Sequence, residues 1–247
     1  MHILLTNDDG IHALGLCALY EALAPEHQVT VVAPDRERSA VGHAITLSDP
    51  IKARKSRFSQ DWGWAIDGTP ADCVKLAVNR LADKPVDLVV SGINIGANVG
   101  INVLYSGTVS AATEAAILGI KSMAISIDTL SDPQFCTAAF YAKKMVNWLA
   151  KRRDKLSVNV NVPPVGLNRI KGIKVTKQAT FNFKERFEER IDPRGNIYFW
   201  QCLANIDEIP DTDCDIYWLK RDYITITPIG YDLTNYQQMT SLTPPEI

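Results

Sequence analysis

Short runs of apolar and β-branched residues alternate with helical periodicity through the first two-thirds of the chain, the pattern of βαβ units wound around a parallel sheet. Residues 2–5 predict a first strand. Leu14, Leu16, Cys17, Leu19, Tyr20 and Leu23 then mark an amphipathic helix, and residues 29–33, closed by Pro34, predict a second strand. A further strand at 64–66 precedes Thr69-Pro70-Ala71-Asp72, which combines an N-cap, a proline at the first helical position and an acid in the first turn. A helix therefore starts at Pro70. Residues 86–90 read as a strand buried on both faces that empties into a glycine- and asparagine-rich loop at 91–98. Ser106-Gly107-Thr108 opens an alanine-rich helix over 109–118. Strands at 123–127 and 158–162 enclose a helix from about 135 to 151. The expected class is α/β, a doubly wound, mostly parallel sheet.

After Pro163-Pro164 the pattern changes. Residues 173–176, 186–191, 198–202 and 224–227 read as strands without intervening helices, and Asp192-Pro193-Arg194-Gly195 has the chemistry of a turn, so 187–201 predicts a β-hairpin. Phe187, Tyr198, Phe199 and Trp200 are more aromatic surface than a solvated arm should carry, which points to an arm packed on something, such as a second subunit. The tail over 231–247 is polar, with Pro244-Pro245 near its end, and is expected to lie over a surface. One domain over 1–247 results, with a core at about 1–165, the arm at about 180–205 and the tail at about 231–247, the last two serving oligomerisation.

With 46% hydrophobic and 22% charged residues over 247 positions, the chain can bury a large core and is not disordered. Its 26 basic and 28 acidic residues give a net charge of −2, so no global positive field exists to hold long nucleic acid. Five cysteines, an odd number without a C-x-x-C pair, fit a reducing compartment and argue against zinc. The apolar run Ile3-Leu4-Leu5 is too short for a signal peptide, and no stretch approaches the ~20 apolar residues of a membrane span. A cytoplasmic protein without a membrane partner is expected.

Ligands of open parallel sheets bind beyond the carboxyl ends of the strands. There the sequence delivers Asn7-Asp8-Asp9-Gly10, Asp35-Arg36-Glu37-Arg38-Ser39 and Ser91-Gly92-Ile93-Asn94. Adjacent carboxylates repel, and a hard divalent cation with oxygen ligands is the simplest compensation. Gly10 lets the chain turn so that both acids reach one ion, although a capped turn before a helix would use the same residues. The absence of histidine and cysteine from the constellation favours Mg²⁺ or Mn²⁺. Ser106-Gly107-Thr108 at a helix start suits a phosphate, or serves as a plain N-cap, and Asn94 and Asn98 among Gly92, Gly96 and Gly100 supply amide donors. Arg36 and Arg38 either neutralise a phosphoryl group or sit in a solvated loop, while His12 and His43 lie near the site in sequence. The chain carries neither G-x-x-x-x-G-K-[ST], G-x-G-x-x-G nor G-x-S-x-G.

The blocks Ile3-Leu4-Leu5-Thr6-Asn7-Asp8-Asp9-Gly10, Val32-Ala33-Pro34-Asp35-Arg36-Glu37-Arg38-Ser39, Asp67-Gly68-Thr69-Pro70-Ala71-Asp72-Cys73, Ser91-Gly92-Ile93-Asn94-Ile95-Gly96-Ala97-Asn98 and Tyr105-Ser106-Gly107-Thr108-Val109-Ser110-Ala111-Ala112 follow in order. With Asn159-Val160-Asn161-Val162-Pro163 and Ile226-Thr227-Pro228, they resemble the signature blocks of the SurE survival-protein family of nucleotidases. The resemblance implies a Rossmann-like fold with a C-terminal β-hairpin arm and extended tail, homodimers or homotetramers with exchanged hairpins or tails, and a cytoplasmic location. It implies a metal-dependent phosphatase acting on nucleoside 5′- and 3′-monophosphates and on short polyphosphate. Carried over residue by residue, it puts one Mg²⁺ or Mn²⁺ per subunit on Asp8, Asp9, Ser39 and Asn94, and the substrate phosphate near Asn98, Ser106, Gly107 and Thr108. Asp8 and Asp9 are then the catalytic acids. Asp8 accepts or positions the proton of an attacking water, and direct attack by Asp8 is the mechanistic rival. A non-catalytic nucleotide-binding or sensor module is the functional alternative. The intact acidic pair favours an enzyme, because a pure anion binder gains nothing from two carboxylates beside a phosphate.

Overall fold

The computed structural model of the protein describes residues 1–131, 133–181, 185–203, 209 and 211–244. In chain order its elements are β1 His2–Thr6, α1 Leu14–Leu23, β2 Gln28–Pro34, β3 Ala53–Phe58, β4 Asp61–Ile66, α2 Pro70–Leu76, β5 Leu88–Ile95, α3 Gly107–Ile117, β6 Lys121–Ile127, α4 Phe135–Ala150, β7 Ser157–Val162, β8 Gly172–Val175, β9 Glu185–Ile191, β10 Ile197–Leu203, α5 Asp215–Leu219, β11 Tyr223–Pro228 and α6 Tyr236–Met239.

A nine-stranded sheet runs β3-β4-β2-β1-β5-β6-β7-β11-β8, and within it β4, β2, β1, β5, β6 and β7 are parallel. The chain moves from β1 to β2 on one side and later returns to β5 on the other. The carboxyl ends of β1 and β5 therefore flank a topological switch point, where a sheet of this kind opens a crevice.

Strand alternation sorts β1 between the two faces: Ile3 and Leu5 pack with α1 and α4, and Leu4 packs with α2 and α3. All three are fully buried, each contributing about 2 kcal/mol on transfer from water. Ala111, Ala112 and Ala115 have no accessible surface, and these small side chains let α3 lie close to the sheet. Helix α2 begins where the Thr69-Pro70 pattern predicts. Thr69 Oγ1 accepts from the Asp72 N–H at 3.1 Å and Asp72 Oδ2 accepts from the Thr69 N–H at 2.9 Å, a reciprocal capping box.

The structure departs from the sequence pattern at several places. β5 continues to Ile95 through residues expected to form a loop, because β6 offers ladder partners; the register shifts between Gly92 and Asn94. β3, which the pattern did not predict, is an antiparallel edge strand whose mostly polar residues show no buried alternation. The sheet core does not end at about 165: β11 pairs antiparallel with β7 and parallel with β8, and Ile224 and Ile226 join the main core. A helix, α5, stands between β10 and β11 where none was expected, and its five residues are too few to show a period.

β9 and β10 form a separate antiparallel hairpin, its turn fastened by Asp192 Oδ1, which accepts from the N–H groups of Arg194 and Asn196 at 2.8 Å each. Phe187, Phe199 and Trp200 on this arm are exposed in the single chain, as are the described residues of the tail. Parts of the expected arm, 182–184 and 204–205, and of the tail, 245–247, lie outside the described residues. No helix among the described residues is long and apolar enough to cross a membrane.

Candidate functional site

At the carboxyl end of β1 the chain reverses through Asn7-Asp8-Asp9-Gly10. Asn7 fastens this turn: its Nδ2 donates to the Gly10 carbonyl at 2.9 Å and its Oδ1 accepts from the Gly10 N–H at 3.2 Å. Gly10 has a φ of +100° and packs on the backbone of Arg36, so a side chain there would be strained and crowded. The loop after β2 is bound to the same turn by the Arg38 N–H, which donates to the Asp8 carbonyl at 2.7 Å. From the other side of the switch point comes Asn94, which follows the register shift in β5 and pairs with Ser126 of β6.

These segments and the start of α3 surround a cavity of about 310 Å³. Asp8, Ser39, Asn94, Asn98 and Ser106 line it, joined by Asn102 and Tyr105. The last two were not singled out from the sequence; the only cue was that Tyr105 adjoins Ser106. Asp9 is half-buried beside Asp8 and, like Gly107 and Thr108, is not on the cavity wall.

Gly107 and Thr108, expected beside a phosphate, lie against Asp8. Thr108 is fully buried and its Oγ1 donates to Asp8 Oδ1 at 2.5 Å. A Cβ on Gly107 would stand 2.8 Å from Asp8 Cβ and 3.0 Å from Asp8 Oδ2, so the close approach of the carboxylate to the amino end of α3 requires glycine. Ser106 caps that helix, its Oγ accepting from the Val109 N–H at 3.1 Å, which leaves the hydroxyl proton free to donate.

Among the described residues the site is short of positive charge. Burial raises the Asp8 carboxyl above its ordinary range, opposed by hydrogen bonds from the Thr108 hydroxyl and main chain, and the charge of Glu37 adds to the rise. Asp9 is pushed up to about 7, first by burial and then by the charges of Asp8 and Glu37. Arg38 does not relieve them, since its guanidinium donates to Asp67 Oδ1 at 2.8 Å. Arg36 and His12 are exposed, and His43 Nε2 donates to Glu114 Oε2 at 2.9 Å.

Two carboxylates with no cationic partner among the described residues suit a hard divalent ion. Among the described residues no group of three or more histidine, cysteine or acidic side chains could hold one, so the donor set must include neutral oxygens. Asn94 fits that need: its Nδ2 donates to the carbonyls of Ile95 at 3.2 Å and Gly96 at 2.7 Å, which leaves Oδ1 as its available end. Ser39 is exposed on the rim, its Oγ donating to Glu37 Oε1 at 2.6 Å. The residues present thus fit an oxygen-coordinated dication better than a nitrogen- or sulfur-bound one.

Residues 3–185 match the family model described as Survival protein SurE. The chain is 50% identical over 245 residues to the 5′-nucleotidase SurE of Syntrophobacter fumaroxidans, covering 98% of each chain. It is 50% identical over 246 residues to the 5′-nucleotidase SurE of Syntrophus aciditrophicus, covering 98% of this chain and 92% of that one. The crystal structure of the SurE protein from Aquifex aeolicus superposes with a TM-score of 0.86 at 41% identity over 98% of both chains.

Proposed function

The chain belongs to the survival protein SurE family, and from that premise we propose that it is a 5′-nucleotidase, a phosphatase that hydrolyses nucleoside 5′-monophosphates to nucleoside and phosphate. The observation that carries this reading is the Asp8–Asp9 pair, uncompensated by any cationic side chain among the described residues and set at the switch point beside a cavity walled by serine and asparagine. Hydrolysis of 3′-monophosphates and of short polyphosphate by the same site is part of the proposal.

Asp8, Asp9, Ser39 and Asn94 would hold one Mg²⁺ or Mn²⁺ per subunit, which when bound supplies positive charge against a phosphoryl oxygen and the two carboxylates. Ser106, with its hydroxyl proton free, and Asn98 bind the remaining phosphoryl oxygens. Asp8, fixed through Oδ1 by Thr108, orients the attacking water and accepts its proton through the other oxygen. The stereochemistry at phosphorus separates this from attack by Asp8 itself: a single displacement by water inverts it, whereas formation and hydrolysis of an aspartyl-phosphate, two displacements, retain it. The exposed aromatic arm and the tail supply contacts to a second copy in a homodimer or homotetramer, and the working compartment is the cytoplasm.

The reading is tested by following phosphate release from 5′- and 3′-nucleoside monophosphates, tripolyphosphate and p-nitrophenyl phosphate with Mg²⁺ or Mn²⁺. Release from nucleoside 5′-monophosphates is expected. Thermal stabilisation by these nucleotides with no phosphate released would instead identify a non-catalytic binding module.

A further inference from the structure

The segment 98–106 supplies Asn98, Asn102, Tyr105 and Ser106 to the cavity, yet its first residues are held by side chains rather than by a ladder. The Asn98 N–H donates to Asn161 Oδ1 at 2.8 Å, and its carbonyl accepts from the Nδ2 groups of Asn159 at 2.7 Å and Asn161 at 3.0 Å. Asn98 Nδ2 donates to Ser126 Oγ at 2.9 Å. Two residues on, the Gly100 N–H donates to Asp215 Oδ2 at 2.9 Å, and the Gly100 carbonyl accepts from Gln178 Nε2, also at 2.9 Å. Asp215 Oδ1 in turn accepts from the N–H groups of Ala179 at 3.0 Å and Ile216 at 2.8 Å.

Asp215, Asn159 and Asn161 are fully buried. A carboxylate taken out of water persists only where donors replace the water it lost, and Asp215 has three main-chain N–H groups from three segments, its own included. It is therefore a junction: one oxygen holds the cavity segment, and the other holds the stretch after β8 and the first turn of α5. Asp215 stands in the first turn of α5, beyond residue 185 where the family-model match stops.

We infer that Asp215 is a positioning residue for phosphoryl binding. Through Gly100 it fixes the segment between Asn98 and Ser106, so the part of the chain after the hairpin arm completes the catalytic cavity. This rests on the reading of the cavity as a phosphoryl site. An acidic side chain is required because asparagine, of equal size, would turn an NH₂ group towards one of the N–H donors and lose that tie.

The test compares the full-length chain with Asp215→Asn, with Gln178→Ala and with Ser122→Ala. Ser122 makes comparable buried hydrogen bonds, to the Ala112 carbonyl at 2.6 Å and Ser157 Oγ at 2.8 Å, and takes no part in the cavity wall. Amide hydrogen exchange, melting temperature, calorimetric affinity for inorganic phosphate, and kcat and KM for AMP are measured well below the melting transition. Asp215→Asn is expected to lower kcat/KM about tenfold or more, weaken phosphate binding and speed exchange selectively over 98–106. Ser122→Ala should lower the melting temperature while leaving kinetics and phosphate affinity unchanged. A folded Asp215→Asn with wild-type kinetics, phosphate affinity and exchange over 98–106 overturns the inference. If that variant does not fold, Gln178→Ala decides: faster exchange over 98–106 with a smaller loss of kcat/KM supports the inference, and wild-type values overturn it. A wild-type chain that releases no phosphate overturns the nucleotidase reading alone, because exchange and phosphate affinity still report on the tie.

Discussion

Thr108 Oγ1 donates to Asp8 Oδ1 at 2.5 Å, joining residues 100 positions apart in the chain at the point where β1 meets the amino end of α3. The bond fixes one carboxylate oxygen and so determines where the other can reach. Hydrogen bonds to charged groups contribute roughly 1.5–3 kcal/mol, so Thr108→Val, which keeps the shape and removes the donor, should lower phosphate release from AMP about ten- to a hundredfold. Thr108→Ser, which retains the hydroxyl, should recover most of the loss. Equal kcat values for the valine variant and the wild type would show that Asp8 is placed by other contacts.

Gly107 sits beneath the same carboxylate, and the 2.8 Å approach its Cβ would make to Asp8 Cβ cannot be relieved by rotating a flexible chain end. Gly107→Ala must displace either Asp8 or the first turn of α3. Overpacking of this kind costs about 1–3 kcal/mol. The variant is expected to melt at lower temperature and to lose activity together, and a stable protein with full turnover would contradict the assigned geometry.

What could be read from the sequence follows from where burial imposes a pattern. β1 is a buried apolar run, and β2, β6 and β7 are rich in Val, Ile or Met at buried positions, so they stand out; β3, with Arg54, Lys55 and Arg57 on an edge strand, carries no such pattern. Asp8, Ser39 and Asn94 could be brought together on paper because parallel strands deliver their carboxyl ends to one edge. The direction of Thr108 could not, since it depends on the rotation of α3 about its axis, and alanines on several sides leave that rotation undefined. Asn94 read as loop because glycine and asparagine favour turns, whereas its partner strand β6 keeps it in the ladder. Asp215 lay hidden for a different reason: α5 is short, and its tie to Gly100 spans 115 positions.

Removal of divalent ions should abolish phosphate release, and added Mn²⁺ or Mg²⁺ should restore it. The binding readout is independent of turnover: calorimetric titration of the metal-free chain with Mn²⁺ is expected to give one site per subunit. Asp9→Asn removes one charge from a site that depends on charge, and should weaken that binding about tenfold or more while leaving the melting temperature of the metal-free protein equal or higher, since burial beside Asp8 and Glu37 penalises the ionised form. Activity that survives exhaustive chelation would refute the metal assignment.

Glu114 couples acid to the stability of the fold away from the cavity. Burial by itself would raise its carboxyl, but hydrogen bonds from His43 Nε2 and Lys75 Nζ, both at 2.9 Å, outweigh that effect and hold it below its ordinary 4.5. A carboxyl whose folded-state value is lowered stabilises the fold at every pH above its unfolded value, and the contribution is lost as pH falls through the folded one. Glu114→Gln should therefore melt below the wild type near neutral pH, and the gap should close as the pH drops beneath 4.5. Asp72 is lowered too: burial opposes the shift, and hydrogen bonds from Thr46 and Thr69 prevail. Some acid sensitivity must therefore persist in Glu114→Gln and shrink further when Asp72→Asn is added, while other lowered carboxyls such as Asp61 and Asp192 keep the remainder. Thermal melts of the single and double variants across the acid range measure both effects, and a gap between Glu114→Gln and wild type that stays constant with pH would show that the His43–Glu114–Lys75 cluster does not stabilise the fold through its charge.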